Sequence, residues 1–215
     1  MDGKAAQIGV ALRCRWRRID LSAVAERPET EIETVPMTDS QKQCGECSLC
    51  CKVLRIPELE KPKDHWCPNF AAGMGCGIYP DRPPSCQAFN CVWLTEPSLG
   101  PEWKPSISKM VLAGKPNLLM VHVDPGANRP WRTEPYYTDL KRMAAQGQKN
   151  GVAVLVVDRG RNIAILPDRE MDLGYIDAQA RVSFEIVNTA KGPEWRVRVT
   201  AAGESEPGPQ GASDR

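Results

Sequence analysis

No apolar run in the 215 residues comes near the roughly 20 needed to cross a bilayer. The longest, Val152–Val157, has the length of one buried strand. An excess of charge of one sign is missing as well. The chain carries 28 Lys+Arg against 27 Asp+Glu, and a net charge of +1 sets up no field that would hold a polyanion. Membrane insertion and general nucleic-acid binding are therefore not expected. The N-terminus lacks a secretory pattern: its short apolar stretch is broken by Gln7 and Gly9. Its basic residues (Arg13, Arg15, Arg17, Arg18) follow that stretch instead of preceding it. The expected compartment is cytoplasmic and reducing, where disulfides rarely persist. A Gly-rich strand–turn–helix fingerprint for a nucleotide-like cofactor is absent, as is any internal repeat of solenoid length.

Cysteine is present in excess. Of nine, eight lie in one window, spaced Cys44-x2-Cys47-x2-Cys50-Cys51-x15-Cys67-x8-Cys76-x9-Cys86-x4-Cys91. An odd total fits a closed disulfide set poorly, and thiolate sulfur is the soft ligand that selects zinc, copper(I) or iron–sulfur clusters. Were Cys44–Cys51 one helix, its four sulfurs would share an arc of roughly 120° but be strung along about 10 Å of axis. That is too far apart for one ion with bonds near ~2.3 Å. The segment is then either a loop folded around a cluster or a donor to more than one centre. Cys86 and Cys91, roughly 140° apart on a helix, lead to the same choice. Two four-sulfur sites account for all eight cysteines; a single cluster using a subset is the competitor.

Two zinc ions on eight thiolates would carry about −4. Lys42, Lys52, Arg55, Lys61, Lys63 and Arg82 lie in or beside the window and offer compensating charge. Cys67-Pro68, after the Cys-x2-Cys-x2-Cys spacing, has an iron–sulfur flavour. Arg82-Pro83-Pro84 fixes two φ angles ahead of Cys86. Cys14 lies outside the pattern and reads as an incidental free thiol. His65, near Cys67, reads as a surface or capping residue, and His122 as a structural strand residue. Trp66, Trp93 and Trp103 are expected to supply the apolar wall that a cysteine-dense core lacks.

The organisation reads as four parts: a partly disordered leader over 1–40, a cysteine module over 41–115, a small unit over 116–202, and a disordered tail over 203–215. In the third part, Leu118–Val123 reads as a strand closed by the Asp124-Pro-Gly126 turn. A helix is expected from a Thr138 cap to about Lys149, stopped by Asn150-Gly151. Val152–Asp158 and Asn162–Leu166 read as a bulged hairpin around Arg159-Gly160-Arg161. Val182, Phe184 and Ile186, and then Trp195, Val197 and Val199, alternate with polar residues as half-buried strands do. The fold class is α+β: an irregular cysteine-rich module followed by a small, mainly antiparallel α+β unit.

Cys44-Gly-Glu-Cys47-Ser-Leu-Cys50-Cys51, then Cys67, then Gly75-Cys76-Gly-Ile-Tyr-Pro-Asp-Arg82-Pro83-Pro-Ser-Cys86 and Phe89-Asn-Cys91, resembles the CxxCxxCC (YkgJ-like) cysteine-cluster family. The similarity covers about residues 41–95. It implies chelation of zinc or iron by Cys44, Cys47, Cys50, Cys51, Cys67, Cys76, Cys86 and Cys91. That family is in turn similar to the cysteine-rich part of flagellin lysine methylases, which act with S-adenosylmethionine. The expected function is metal binding through thiolates, with zinc and an iron–sulfur cluster both open and a protein partner unspecified. An iron–sulfur enzyme or electron-transfer protein related to those methylases is the alternative. No catalytic signature stands outside the cysteines, so the reading leans away from an enzyme.

Overall fold

The computed structural model describes residues 42–190 and 192–201; the leader, Cys14 and the tail lie outside them. Short elements come first: helix α1 (Leu49–Val53), strands β1 (Phe70–Ala71) and β2 (Gly75–Cys76), then helices α2 (Pro84–Ala88), α3 (Val92–Thr95) and α4 (Pro105–Ser108). Long elements follow: β3 (Met110–Lys115), β4 (Leu118–Val123), α5 (Tyr136–Asn150), β5 (Ala153–Asp158), β6 (Arg161–Ile165), β7 (Glu170–Tyr175), β8 (Arg181–Thr189) and β9 (Gly192–Thr200). The class is α+β.

The main sheet has the order β3-β4-β5-β6-β7. Three of its ladders are antiparallel, and β4 runs parallel to β5. A parallel pair requires a crossover, and α5 supplies it. Leu140, Ala144 and Gly147 of α5 are buried, and Leu140 and Ala144 join the cluster formed by one face of the sheet. On that face Met110, Leu112, Val121, Val154, Val156 and Ile165 pack with Trp103 and Trp131. The other face is covered in two places. The β8–β9 hairpin brings Trp195, Phe184 and Val197 onto Leu155, Ala164 and Leu166. At the β3 end, Leu49 and Val53 of α1 close over Val111.

The anticipated strand Leu118–Val123 forms with those bounds. Three local expectations differ. Helix α5 begins at Tyr136 after Pro135 with no side-chain cap, so Thr138 sits inside its first turn instead of capping it. The β5–β6 connection is a two-residue turn with Asp158 opposite Arg161. Arg159 and Gly160 both have positive φ there, the hairpin geometry that matches strand twist without a bulge. The irregularity lies one strand further on, at Asn162/Ile163 against β7. Strand β3, in the stretch assigned to the cysteine module, is the edge of the main sheet. It is joined to β4 by a Pro116-Asn117 turn whose Asn is left-handed. Among the described residues no helix is long and apolar enough to cross a membrane.

Candidate metal centre

Cys44 opens a tight turn, with Cys47 N–H donating to the Cys44 carbonyl at 3.0 Å and Gly45 at positive φ. The chain then enters α1, which carries Cys50 and Cys51. Adjacent residues on a helix diverge by about 100°, yet these two sulfurs remain neighbours. Cys91 stands at the N-terminal boundary of α3, where it forms a β-bridge to Ala113 on the edge strand. Cys44, Cys47, Cys50 and Cys91 line one cavity together with Trp93, Leu94, Pro105 and Val111. Its volume is about 20 Å³, room for a single water-sized atom. Burial and the neighbouring Cys47 push the Cys44 thiol pKa up, and burial does the same for Cys91, next to Cys47.

Cys51 lies between these and the other cysteines. Its carbonyl accepts the Cys67 N–H at 3.1 Å, and its sulfur accepts a hydrogen bond from Cys50. That bond holds the Cys50 thiol protonated and pulls Cys51 towards the thiolate; the Lys61 ammonium acts in the same direction on Cys51. Cys67 is buried and joined through the Phe70 N–H to the β1–β2 ladder, in which Phe70 faces Cys76. Cys86 lies in α2, started by Pro84 after Pro83 and held by Glu58. The Glu58 carboxylate accepts from the Ser85 N–H at 2.8 Å and from its hydroxyl at 2.7 Å. Burial raises the Cys86 pKa, and the neighbouring Cys51, Cys67 and Cys76 act in the same direction. The segments before Cys76 and after Cys44 approach closely: a Cβ added at Gly75 would lie 3.1 Å from the Gly45 carbonyl oxygen.

The eight described cysteines are free thiols. Among the described residues, no three or more His, Cys, Asp and Glu side chains are grouped closely enough to hold an ion as they stand. The cavity nonetheless presents four sulfurs, those of Cys44, Cys47, Cys50 and Cys91. Bonds near ~2.3 Å to a soft metal would draw these four inward on a cavity of atomic size. In donor chemistry and number the residues fit such a metal.

The cations are bound in several ways. Lys42 donates to the carbonyls of Glu96 (2.6 Å) and Leu99 (2.5 Å) and sits 5.5 Å over the Trp93 ring. Lys52 pairs with Asp124 at 2.6 Å, tying the cysteine region to the end of β4. Arg82 donates to the Cys86 carbonyl at 3.3 Å and covers Tyr79. Lys61 is buried. His65 is exposed and bonds the Lys63 carbonyl. Of the three tryptophans, Trp93 walls the cavity and Trp103 is in the main core with its indole N–H on Asp139. Trp66 is 47% exposed, stacked on Phe70 at 4.1 Å, and is not a buried wall. Val111 was not foreseen as a site residue. Its only sequence signal is the short apolar run Met110–Ala113, which is ambiguous between strand and buried helix.

No family model, no curated protein and no solved structure matches this chain.

Proposed function

We propose that this protein binds metal through thiolates and holds two centres of four sulfurs, Cys44/Cys47/Cys50/Cys91 and Cys51/Cys67/Cys76/Cys86. The observation that carries this reading is the lining of one small cavity by four sulfurs, Cys44, Cys47, Cys50 and Cys91, which leaves Cys51, Cys67, Cys76 and Cys86 for a second centre. The resemblance to the cysteine-cluster family points the same way.

Zinc is the favoured ion at the first set. Four sulfurs lining one cavity are the donor type and number of a closed zinc site. Closed four-sulfur zinc sites are structural, so the role of the metal is to fix the fold of the region over 42–105. The test is full-length protein purified anaerobically and analysed for zinc, iron and acid-labile sulfide. Colourless protein with about two zinc per chain is the expected result. Brown protein with iron and sulfide would replace zinc by the iron–sulfur alternative. Protein that retains no metal and takes up neither zinc nor iron on reconstitution would overturn the reading.

A further inference from the structure

Two of the four cavity cysteines, Cys44 and Cys47, lie on the turn before α1, and Cys91 comes from a distant segment at the start of α3. Bringing such segments together costs chain entropy, so a site whose ligands are held in place beforehand binds its ion more tightly. One side chain spans both segments. Lys42 stands two residues ahead of Cys44, and its ammonium donates to the carbonyls of Glu96 and Leu99 at 2.6 and 2.5 Å, on the loop that leaves α3. The same ammonium lies 5.5 Å from the ring centroid of Trp93, which lines the cavity beside the sulfurs. Trp93 is itself fixed: its indole N–H donates to the Gly100 carbonyl at 3.0 Å, and the Lys104 ammonium stands 5.9 Å from its centroid. Hydrogen bonds from a charged donor are roughly twice as strong as neutral ones, and the aromatic face adds to them.

We propose that Lys42 is the latch of the Cys44/Cys47/Cys50/Cys91 centre, a positioning residue that holds the Cys44–Cys47 turn against the segment from Cys91 to Leu99 and so pre-organises the four sulfurs for metal. It touches no metal and takes no ligand position; it acts through the two carbonyls and the Trp93 wall. The inference rests on the metal-binding reading above and names the residue that assembles one of its two centres.

Zinc affinity measured by competition with a chromophoric chelator tests it, on the full-length wild type, Lys42→Met and Lys42→Arg. Met keeps an apolar stem and loses the donors and the charge, whereas Arg keeps both. Each is also combined with Cys91→Ser, which removes the first centre, and with Cys86→Ser, which removes the second. The expected result is a loss of about tenfold in affinity for one zinc equivalent in Lys42→Met, the low end for outer-shell partners of metal ligands, with Arg restoring most of it. The loss persists in the Cys86→Ser background and vanishes in Cys91→Ser. Lys42→Met at wild-type affinity overturns the proposal. A loss that strikes both equivalents alike, or survives in Cys91→Ser, means that Lys42 supports the whole region and overturns it too. Should Lys42→Met fail to fold, Lys42→Gln takes its place; failure of both assigns Lys42 a purely structural role and overturns the proposal. Wild-type protein that binds no zinc defeats the reading beneath it, a different outcome from equal binding by wild type and Lys42→Met.

Discussion

Single side chains divide into those that belong to a sulfur set and those that only border one. Each Ser replacement in Cys44, Cys47, Cys50 or Cys91 is expected to remove one metal equivalent and spare the other, and likewise within Cys51, Cys67, Cys76 and Cys86. Cys14→Ser is expected to change nothing. Metal content per chain of the nine variants checks this, and loss of both equivalents from every variant would mean a single shared centre. His122 gives a second prediction. Its ring lies on β4 between Val111 and Val157, with Nδ1 buried and without a hydrogen-bond partner, facing Lys63 and Lys115. Burial first, then the two ammonium groups, lowers its pKa to about 4 from an ordinary value near 6.5. The unfolded chain therefore takes up the proton first. The stability that neutral His122 preserves is complete above about pH 6.5 and is lost as pH falls towards 4. From pH 7.5 to pH 5 the loss is about 2 kcal/mol. Urea unfolding at both values should show it, and His122→Leu should flatten that part of the profile.

Among the elements, α5 depends on a close approach that its amphipathic pattern does not reveal. A Cβ at Gly147 would stand 2.2 Å from the Val152 carbonyl oxygen, because the chain leaves the helix at left-handed Gly151 and folds straight back into β5. Gly147→Ala is expected to destabilise the protein by about 1–3 kcal/mol despite the better helix propensity of alanine. A urea midpoint at or above the wild-type value would show that the helix end shifts freely. The start of α5 was misplaced because Thr138 has the chemistry of a cap, whereas the Pro135 backbone ends the preceding turn and starts the helix unaided. The Arg159-Gly160 hairpin was legible as a turn, but its length was not. The two-residue form is selected by pairing across the whole ladder, which the tripeptide itself does not encode.

At the scale of the whole molecule, the region over 42–105 has little regular structure, with helices of four or five residues and one two-residue ladder. Its anchors on the sheet are Leu49 and Val53 on Val111, the Cys91–Ala113 bridge, the Lys52–Asp124 pair, and Trp93, Leu99 and Trp103 in the main core. Residues 42–90 contribute nothing to the apolar core that the main sheet and α5 share with those three. Metal removal is therefore expected to abolish hydrogen-exchange protection at Cys47, Cys51 and Cys67 while Val154 and Val156 stay protected. Equal loss in both places would show a single cooperative unit. Unchanged protection around the cysteines after verified metal removal would mean that ligation does not hold this region.

Patterns confined to neighbours in the chain were determined by the sequence alone. The α+β class, the strands at Leu118–Val123 and in the β8–β9 hairpin, and the concentration of soft ligands all rest on spacing or on two-residue alternation, which local geometry enforces. Only the tertiary structure decided which sulfur accompanies which. Cys91 joins Cys44, Cys47 and Cys50 on one cavity because its bridge to Ala113 fixes it on the edge strand. The same holds for β3. Four apolar residues become a strand when α1 and the core occupy their two faces, a partnership between segments some 60 residues apart. Contacts at that separation are settled by packing and charge in three dimensions, and spacing along the chain carries no record of them.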